Sequence, residues 1–271
     1  MAILGAGLTG LRAAIELGRL GADYRIFEPR DRAGGLAVTV REQGYAFDVT
    51  GHLLHVRDPE IRREVLACMG DDCLTLERRS RIFSHGVYTR YPFQANTHGL
   101  PPEVAYACVM GFIEAHRAPP GPAPRTFEQF CHQVFGPGIS RHFMVPYNER
   151  MWGVPASEIT ADWCEWAVPR PKLEDVIAGA LGLPGRELGY NTSFLYPRDG
   201  IGALPRALER ECRPVELLRS PRRIDHRGRV LHFADEAVSY DALVSTAPLP
   251  ALVDLLDDPP AAIRAAAGRL R

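Results

Sequence analysis

The sequence predicts an α/β fold in which a βαβ start, a mostly helical insert and a late return of strands build one discontinuous sheet domain. Three observations carry this. An apolar run, Met1 to Leu4, leads directly into Gly5-Ala6-Gly7-Leu8-Thr9-Gly10, followed by an Ala- and Leu-rich stretch, Leu11 to Leu20, and an apolar strand, Tyr24 to Phe27. Helical patterning then dominates from Pro101 to Trp152. Strand character comes back only after Glu216.

The first observation has a chemical reading. Gly5 permits the tight turn after a strand, Gly7 lets the backbone approach a pyrophosphate, and Gly10 lets the next helix pack closely on the sheet. Phosphates then sit at that helix's N-terminus. Glu28 closes the second strand where a ribose would need an acceptor. The loop therefore predicts a Rossmann-type dinucleotide site, compatible with NAD or FAD, against the plainer alternative of a Gly-rich turn between core elements.

Further along, Pro29 to Gly35 reads as a loop, and the residues through Val40 with Gly44 to Asp48 as a hairpin. Asp58 to Met69 carries Ile61, Val65 and Leu66 at helical spacing. Arg81 to Tyr91 predicts a hairpin turning at His85-Gly86, and Pro101 to His116 a helix ending before the proline run 118–124. Thr126 is a candidate N-cap for a helix to Phe135, and 139–152 continues the helical region. Glu216 to Leu218 and Arg229 to Phe233 read as strands flanking a turn at Arg227-Gly228, with a buried-type strand at Ala242 to Thr246. These elements predict a discontinuous cofactor domain over 1–80 and 210–250, a helical substrate domain over 81–209, and a further segment, 251–271, that is cut short.

With 46% hydrophobic and 24% charged residues in 271, the composition is that of an ordinary soluble chain. The formal net charge of −1 gives no overall footprint for nucleic acid or an anionic membrane, so any anion site must be local. Six scattered cysteines with no CxxC pair predict reduced thiols and no metal centre. The longest apolar stretch, Val104 to Ile113, is about half a membrane span. No signal-like segment opens the chain, so a cytoplasmic location is expected.

A series of segments, in order, resembles the eukaryotic-type UDP-galactopyranose mutases within the wider amine-oxidase-like and protoporphyrinogen-oxidase-like flavoproteins. They are Gly34-Gly35-Leu36-Ala37, Gly44 to Asp48 with Gly51-His52, Tyr91-Pro92-Phe93-Gln94, Pro146-Tyr147-Asn148 with Trp152 to Pro155, Asn191 with Phe194 to Pro197, and Leu243 to Leu249. The resemblance implies FAD as cofactor, with Gly5, Gly7, Leu8, Thr9, Gly10, Glu28, Gly34, Gly35, Leu36, Gly51 and Thr246 around it. It places His52 near the redox-active edge of the flavin, as the candidate catalytic residue. It implies Tyr91, Phe93 and Gln94 on one wall of a nucleotide pocket, Asn148 and Trp152 on the other, Asn191 on the sugar side, and Arg78 near flavin and substrate. In those mutases a reduced flavin attacks the anomeric carbon through N5 and the sugar recloses with the other ring size. Plainer readings stand beside these: buried edge strand for Tyr91 to Phe93, core anchor for Trp152, capping for the asparagines, structure for His52.

The pattern also departs from the family. Ala167 stands where the Trp-x-x-x-Arg-Val segment supplies a diphosphate-binding arginine, Arg170 lying three residues on, and Thr50 replaces a glycine. The chain also lacks the final strand-helix unit of the family, which reads as a C-terminal truncation. The expected function is thus a FAD-dependent mutase-like enzyme on a nucleotide sugar, with NAD(P)H as a candidate reductant. The alternative is a FAD-dependent oxidoreductase of the amine-oxidase-like group, and the third reading a truncated, non-catalytic flavoprotein.

Overall fold

A computed structural model describes residues 1–184, 188 and 193–270. They fall into two compact units, Met1–Leu76 with Phe194–Arg271, and Glu77–Ser193. The first opens with β1 (Ala2–Leu4), α1 (Leu8–Arg19), β2 (Arg25–Phe27), the ribbon β3 (Thr39–Glu42) and β4 (Tyr45–Asp48), α2 (Pro59–Met69) and β5 (Cys73–Glu77). The second holds the hairpin β6 (Arg81–Ser84) and β7 (Val87–Arg90), α3 (Pro102–Arg117), α4 (Phe127–Ile139), a π-helical turn (Ser140–Met144), α5 (Val145–Trp152), α6 (Cys164–Ala167) and α7 (Leu173–Ala180). The chain returns to the first unit with β8 (Ser193–Pro197), α8 (Ala203–Glu209), β9 (Val215–Glu216), β10 (Arg223–Asp225), β11 (Val230–His232), β12 (Ala237–Ser239), β13 (Leu243–Ser245), α9 (Leu249–Leu255) and α10 (Ala261–Gly268).

The first unit is the discontinuous Rossmann-like arrangement that the sequence predicts. Its sheet runs β13-β1-β2-β9, all parallel, with Ile3 between Val244 and Ile26. Strand alternation splits the apolar residues between two layers. Ile3 and Ile26 pack with Leu11 and Ala14 of α1, while Ala2, Leu4 and Phe27 face Ile224, Leu231 and Phe233.

Three expectations are corrected. Glu216 to Leu218 is not the hairpin partner of the strand at 229–233. Val215–Glu216 adds in parallel to β2, and β11 pairs with β10, Arg223 opposite His232. Asp225 closes that turn by accepting from the backbone N–H of Gly228 at 2.7 Å and of Arg227 at 3.1 Å. The return to the first unit falls at Phe194, before residue 210, because Leu54 bridges Leu195 and α8 packs Leu204 and Ala207 on Met69 of α2. Residues beyond 250 are integral to the unit, since Leu252 and Leu255 of α9 pack on the β1 and β2 core.

The second unit is mainly helical around Phe93, Phe112, Phe127, Phe130 and Phe135. Thr126 caps α4 as expected, accepting from Gln129 N–H at 3.2 Å. The helices α3 and α4 meet backbone to backbone, since a Cβ on Gly138 would lie 2.0 Å from the Ala107 carbonyl oxygen. Gly138→Ala must therefore push the two helices apart, and we expect a loss of about 2–3 kcal/mol in urea unfolding of the second unit. An unchanged midpoint would show that this approach is dispensable.

Candidate cofactor-binding site

The first unit gathers two glycine turns at the C-terminal end of β1. Gly5, at φ +97°, leaves the strand, and its N–H donates to Phe27 O at 2.8 Å. Gly34, at φ +117°, donates to Ala6 O at 2.8 Å and forms a bridge with Gly7. At several positions the chain itself requires glycine. A Cβ on Gly10 would stand 1.9 Å from Gly5 O, and one on Gly35 3.2 Å from the Gly7 Cα. A Cβ on Gly5 would meet Thr246 Oγ1, which is anchored by donating to Leu4 O at 3.1 Å.

Of the glycines expected at the cofactor site, two have no such reason. Gly7 has φ −70° and ψ 179°, open to any residue, and a Cβ there meets nothing nearer than 3.9 Å. Around a Cβ on Gly51 there is no atom within 4 Å. Gly7 also caps α1 without any side-chain cap, and no acidic residue occupies the helix's first turn. The amides of Leu8 and Thr9 thus belong to a helix terminus that favours an anion.

Glu28 holds this cradle from beneath. Only 5% exposed, its carboxylate accepts from Ala6 N–H at 2.8 Å and from Arg30 N–H at 3.0 Å, one bond to each oxygen. Each oxygen keeps a lone pair for a further donor. Arg30 in turn donates to Gly35 O at 3.0 Å, tying the second glycine turn down. Leu36, beside it, is 64% exposed. A dinucleotide's pyrophosphate and ribose fit this set of donors, acceptors and side-chain-free backbone.

The loop carrying His52 leaves β4 at Asp48, a hub whose partners come from distant parts of the chain. Asp48 accepts from Thr39 Oγ1 at 2.6 Å, from Tyr196 Oη at 2.6 Å and from Ile201 N–H at 3.1 Å. Burial would raise its pKa, but these hydrogen bonds and the nearby His52 charge outweigh it and hold the carboxyl below its ordinary value. The Tyr196 phenol, donating to Asp48 and partly desolvated, is pushed up to about 12. His52 itself is half-buried, with Nδ1 3.0 Å from Thr50 O. A carbonyl only accepts, so in this contact Nδ1 carries the proton, and Nε2 is the acceptor when the ring is neutral.

In the second unit the structure brings together Arg78 and Tyr91. The guanidinium lies 5.2 Å from the ring centre, and Nε donates to Ser80 Oγ at 2.7 Å. Phe93, Gln94 and Asn148, expected on the walls of a nucleotide pocket, are all buried. Phe93 is fully buried and stacks on Phe143 at 4.6 Å. Gln94 donates to Pro169 O at 2.8 Å, and Asn148 to Met144 O at 2.8 Å. These side chains fill the helical core and satisfy its carbonyls. Trp152 is 56% exposed, Arg170 lies over the Phe130 ring, and Asn191 is outside the described residues.

The family model of flavin containing amine oxidoreductases matches residues 8–270. The chain belongs to that family. It is similar to the zeta-carotene-forming phytoene desaturase of Myxococcus xanthus, 26% identical over 96% of this chain and 55% of that protein. It is similar over a shorter stretch to the all-trans-retinol 13,14-reductase of Danio rerio, 40% identical over 19% of this chain and 9% of that protein. Among solved structures, reduced UDP-galactopyranose mutase is 28% identical, with a TM-score of 0.88 over 99% of this chain and 60% of that one. Putrescine oxidase shares the fold, at 18% identity and a TM-score of 0.65 over 98% of this chain and 62% of that one. The chain thus spans little more than half the length of the desaturase. No helix among the described residues is long and apolar enough to cross a membrane.

The Asp48 cluster generates a pH prediction. A carboxyl depressed in the fold stabilises it fully above the unfolded value of about 4, and this is lost as pH falls through the lower folded value. Melting temperature followed downward from pH 5 should fall less steeply for Asp48→Asn, from a lower starting point. Tyr196→Phe should remove one late tyrosinate from the alkaline absorbance titration, near 12. If the late component persists in that variant, the phenol–carboxylate contact is not its cause.

Proposed function

We propose that this chain forms the cofactor-binding part of a FAD-dependent oxidoreductase of the amine-oxidase-like group, acting on a small-molecule substrate. The observation that carries it is the pair of glycines, Gly7 and Gly51, that the fold does not itself require, beside an uncapped helix terminus in a chain of a flavin family. FAD, when bound, supplies the two-electron chemistry, and the protein supplies orientation and electrostatics. The amides of Gly7, Leu8, Thr9 and Gly10 would receive the pyrophosphate, with Gly34, Gly35 and Leu36 closing over it. Glu28 would accept the adenosine ribose hydroxyls on its remaining lone pairs, and Thr246 would hold the floor at Gly5. Gly51 would leave room beside His52, whose Nε2 can take or return a proton during substrate oxidation. A cytoplasmic setting suits the six free thiols.

One observation favours a second reading, nucleotide-sugar mutase with NAD(P)H as reductant. It is the likeness over 99% of this chain to reduced UDP-galactopyranose mutase. In that reading Arg78, Tyr91 and Trp152 would meet the substrate. Ala167 at the family arginine and the buried Phe93, Gln94 and Asn148 weigh against it.

The test separates folding from cofactor binding. Gly7→Ala, at a permissive φ/ψ with no clash, should leave the melting temperature of the ligand-free chain unchanged and weaken FAD binding about tenfold or more, measured by fluorescence titration. Gly10→Ala should lower both stability and binding. No binding of FAD by the wild-type chain would sink the cofactor assignment. Anaerobic bleaching of the bound flavin by an amine or polyene would support the oxidoreductase, and UDP-galactofuranose formed from UDP-galactose the mutase.

A further inference from the structure

From Arg78 to Pro102 the chain carries four arginines and no acidic residue, although its formal net charge is −1. Three of the arginines are Arg78, Arg79 and Arg81, at the foot of the β6–β7 hairpin, and the fourth is Arg90, at its other foot. The hairpin has two unlike faces. Ile82 and Val87 pack on the helical core, and Thr89 is 2% exposed. The outward face carries Arg81 directly opposite Arg90 and Phe83 directly opposite Tyr88. Phe83 is 64% and Tyr88 68% exposed, their rings 5.0 Å apart. Both arginines are exposed, and among the described residues neither has an ion-pair partner.

Like charges directly opposite on a ribbon repel, so this pair costs the isolated fold stability. Burial does not account for it, since all four side chains project into solvent. A layer of phosphates would turn the repulsion into two charge-assisted contacts, because guanidinium groups match phosphate oxygens. The aromatic pair supplies what a dissolved phosphate would not use: an exposed apolar patch with the Tyr88 hydroxyl at its tip, the combination that concentrates at lipid headgroups. Arginine stems lie along such an interface while their heads reach the phosphates. A single-stranded nucleic acid would need successive aromatic platforms along a basic track. This face offers one aromatic pair, bounded by the turn at His85-Gly86.

We propose that the outward face of the β6–β7 hairpin is a docking surface for an anionic phospholipid membrane. The chain would rest on the headgroups through Phe83 and Tyr88, with Arg81 and Arg90 on lipid phosphates.

The experiment is co-sedimentation of the purified chain with phosphatidylglycerol–phosphatidylcholine vesicles and with pure phosphatidylcholine vesicles. Binding to the anionic vesicles, weakened by salt and at least about tenfold poorer on phosphatidylcholine, is expected. Arg81→Glu with Arg90→Glu, and separately Phe83→Ser with Tyr88→Ser, should each reduce it about tenfold, with circular dichroism unchanged. Arg81→Lys with Arg90→Lys should retain most of it, and Arg264→Glu with Arg269→Glu on α10 should leave it intact. A Tyr88→Trp variant should show blue-shifted emission on the anionic vesicles. No wild-type binding, undiminished binding by the hairpin variants, or retention of a single-stranded oligonucleotide in place of the vesicles would overturn the proposal.

Discussion

Two polypeptide turns have to touch without side chains between them, and the rest of the first unit follows from that requirement. The Gly7–Gly34 bridge and the stacking of Gly10 on the Gly5 carbonyl bring the end of β1, the start of α1 and the loop after β2 to one place. Side chains at Gly10 or Gly35 would drive these segments apart, whatever the surrounding core gained from burial. The apolar layers on both faces of the sheet give this contact its rigidity, and the contact gives the sheet its open end.

Two carboxylates do related work on either side. Glu28 accepts from the first glycine turn and from the residue leading to the second, while Asp48 joins β3, β8 and the turn before α8. Both are acceptors matched to donors that would otherwise be left in a partly dry environment, where an unmade hydrogen bond is expensive. A chain that fixes its loops this way leaves them little freedom to rearrange around a ligand. Preorganisation of that kind is what a tightly held cofactor needs.

Much of this was legible in the sequence because it is local. The βαβ start, the β3–β4 ribbon, α2, the hairpin at His85-Gly86 and the Thr126 cap all follow from short-range pattern and turn chemistry. What was not legible depends on distant partners. Arg223-Ile224-Asp225 is too short and polar to declare itself a strand, and it becomes one because Asp225 closes a turn that sets it against β11. The inward direction of Phe93 and Gln94 is set by the aromatic stack with Phe143 and by the Pro169 carbonyl, both distant in sequence. Asp48 gave no signal of its hub role, since Tyr196 and Ile201 arrive from far along the chain.

The pairing of β1 with β13 has a consequence in time. Residues Ala2–Leu4 leave the ribosome well before the strand on one of their flanks, Leu243–Ser245, because the whole helical unit lies between the two in the chain. The intervening helical unit is rich in contacts between neighbouring segments and can settle while synthesis continues. Throughout that interval one edge of the apolar strand β1 is without its partner, and it must be shielded from other nascent chains until β13 arrives.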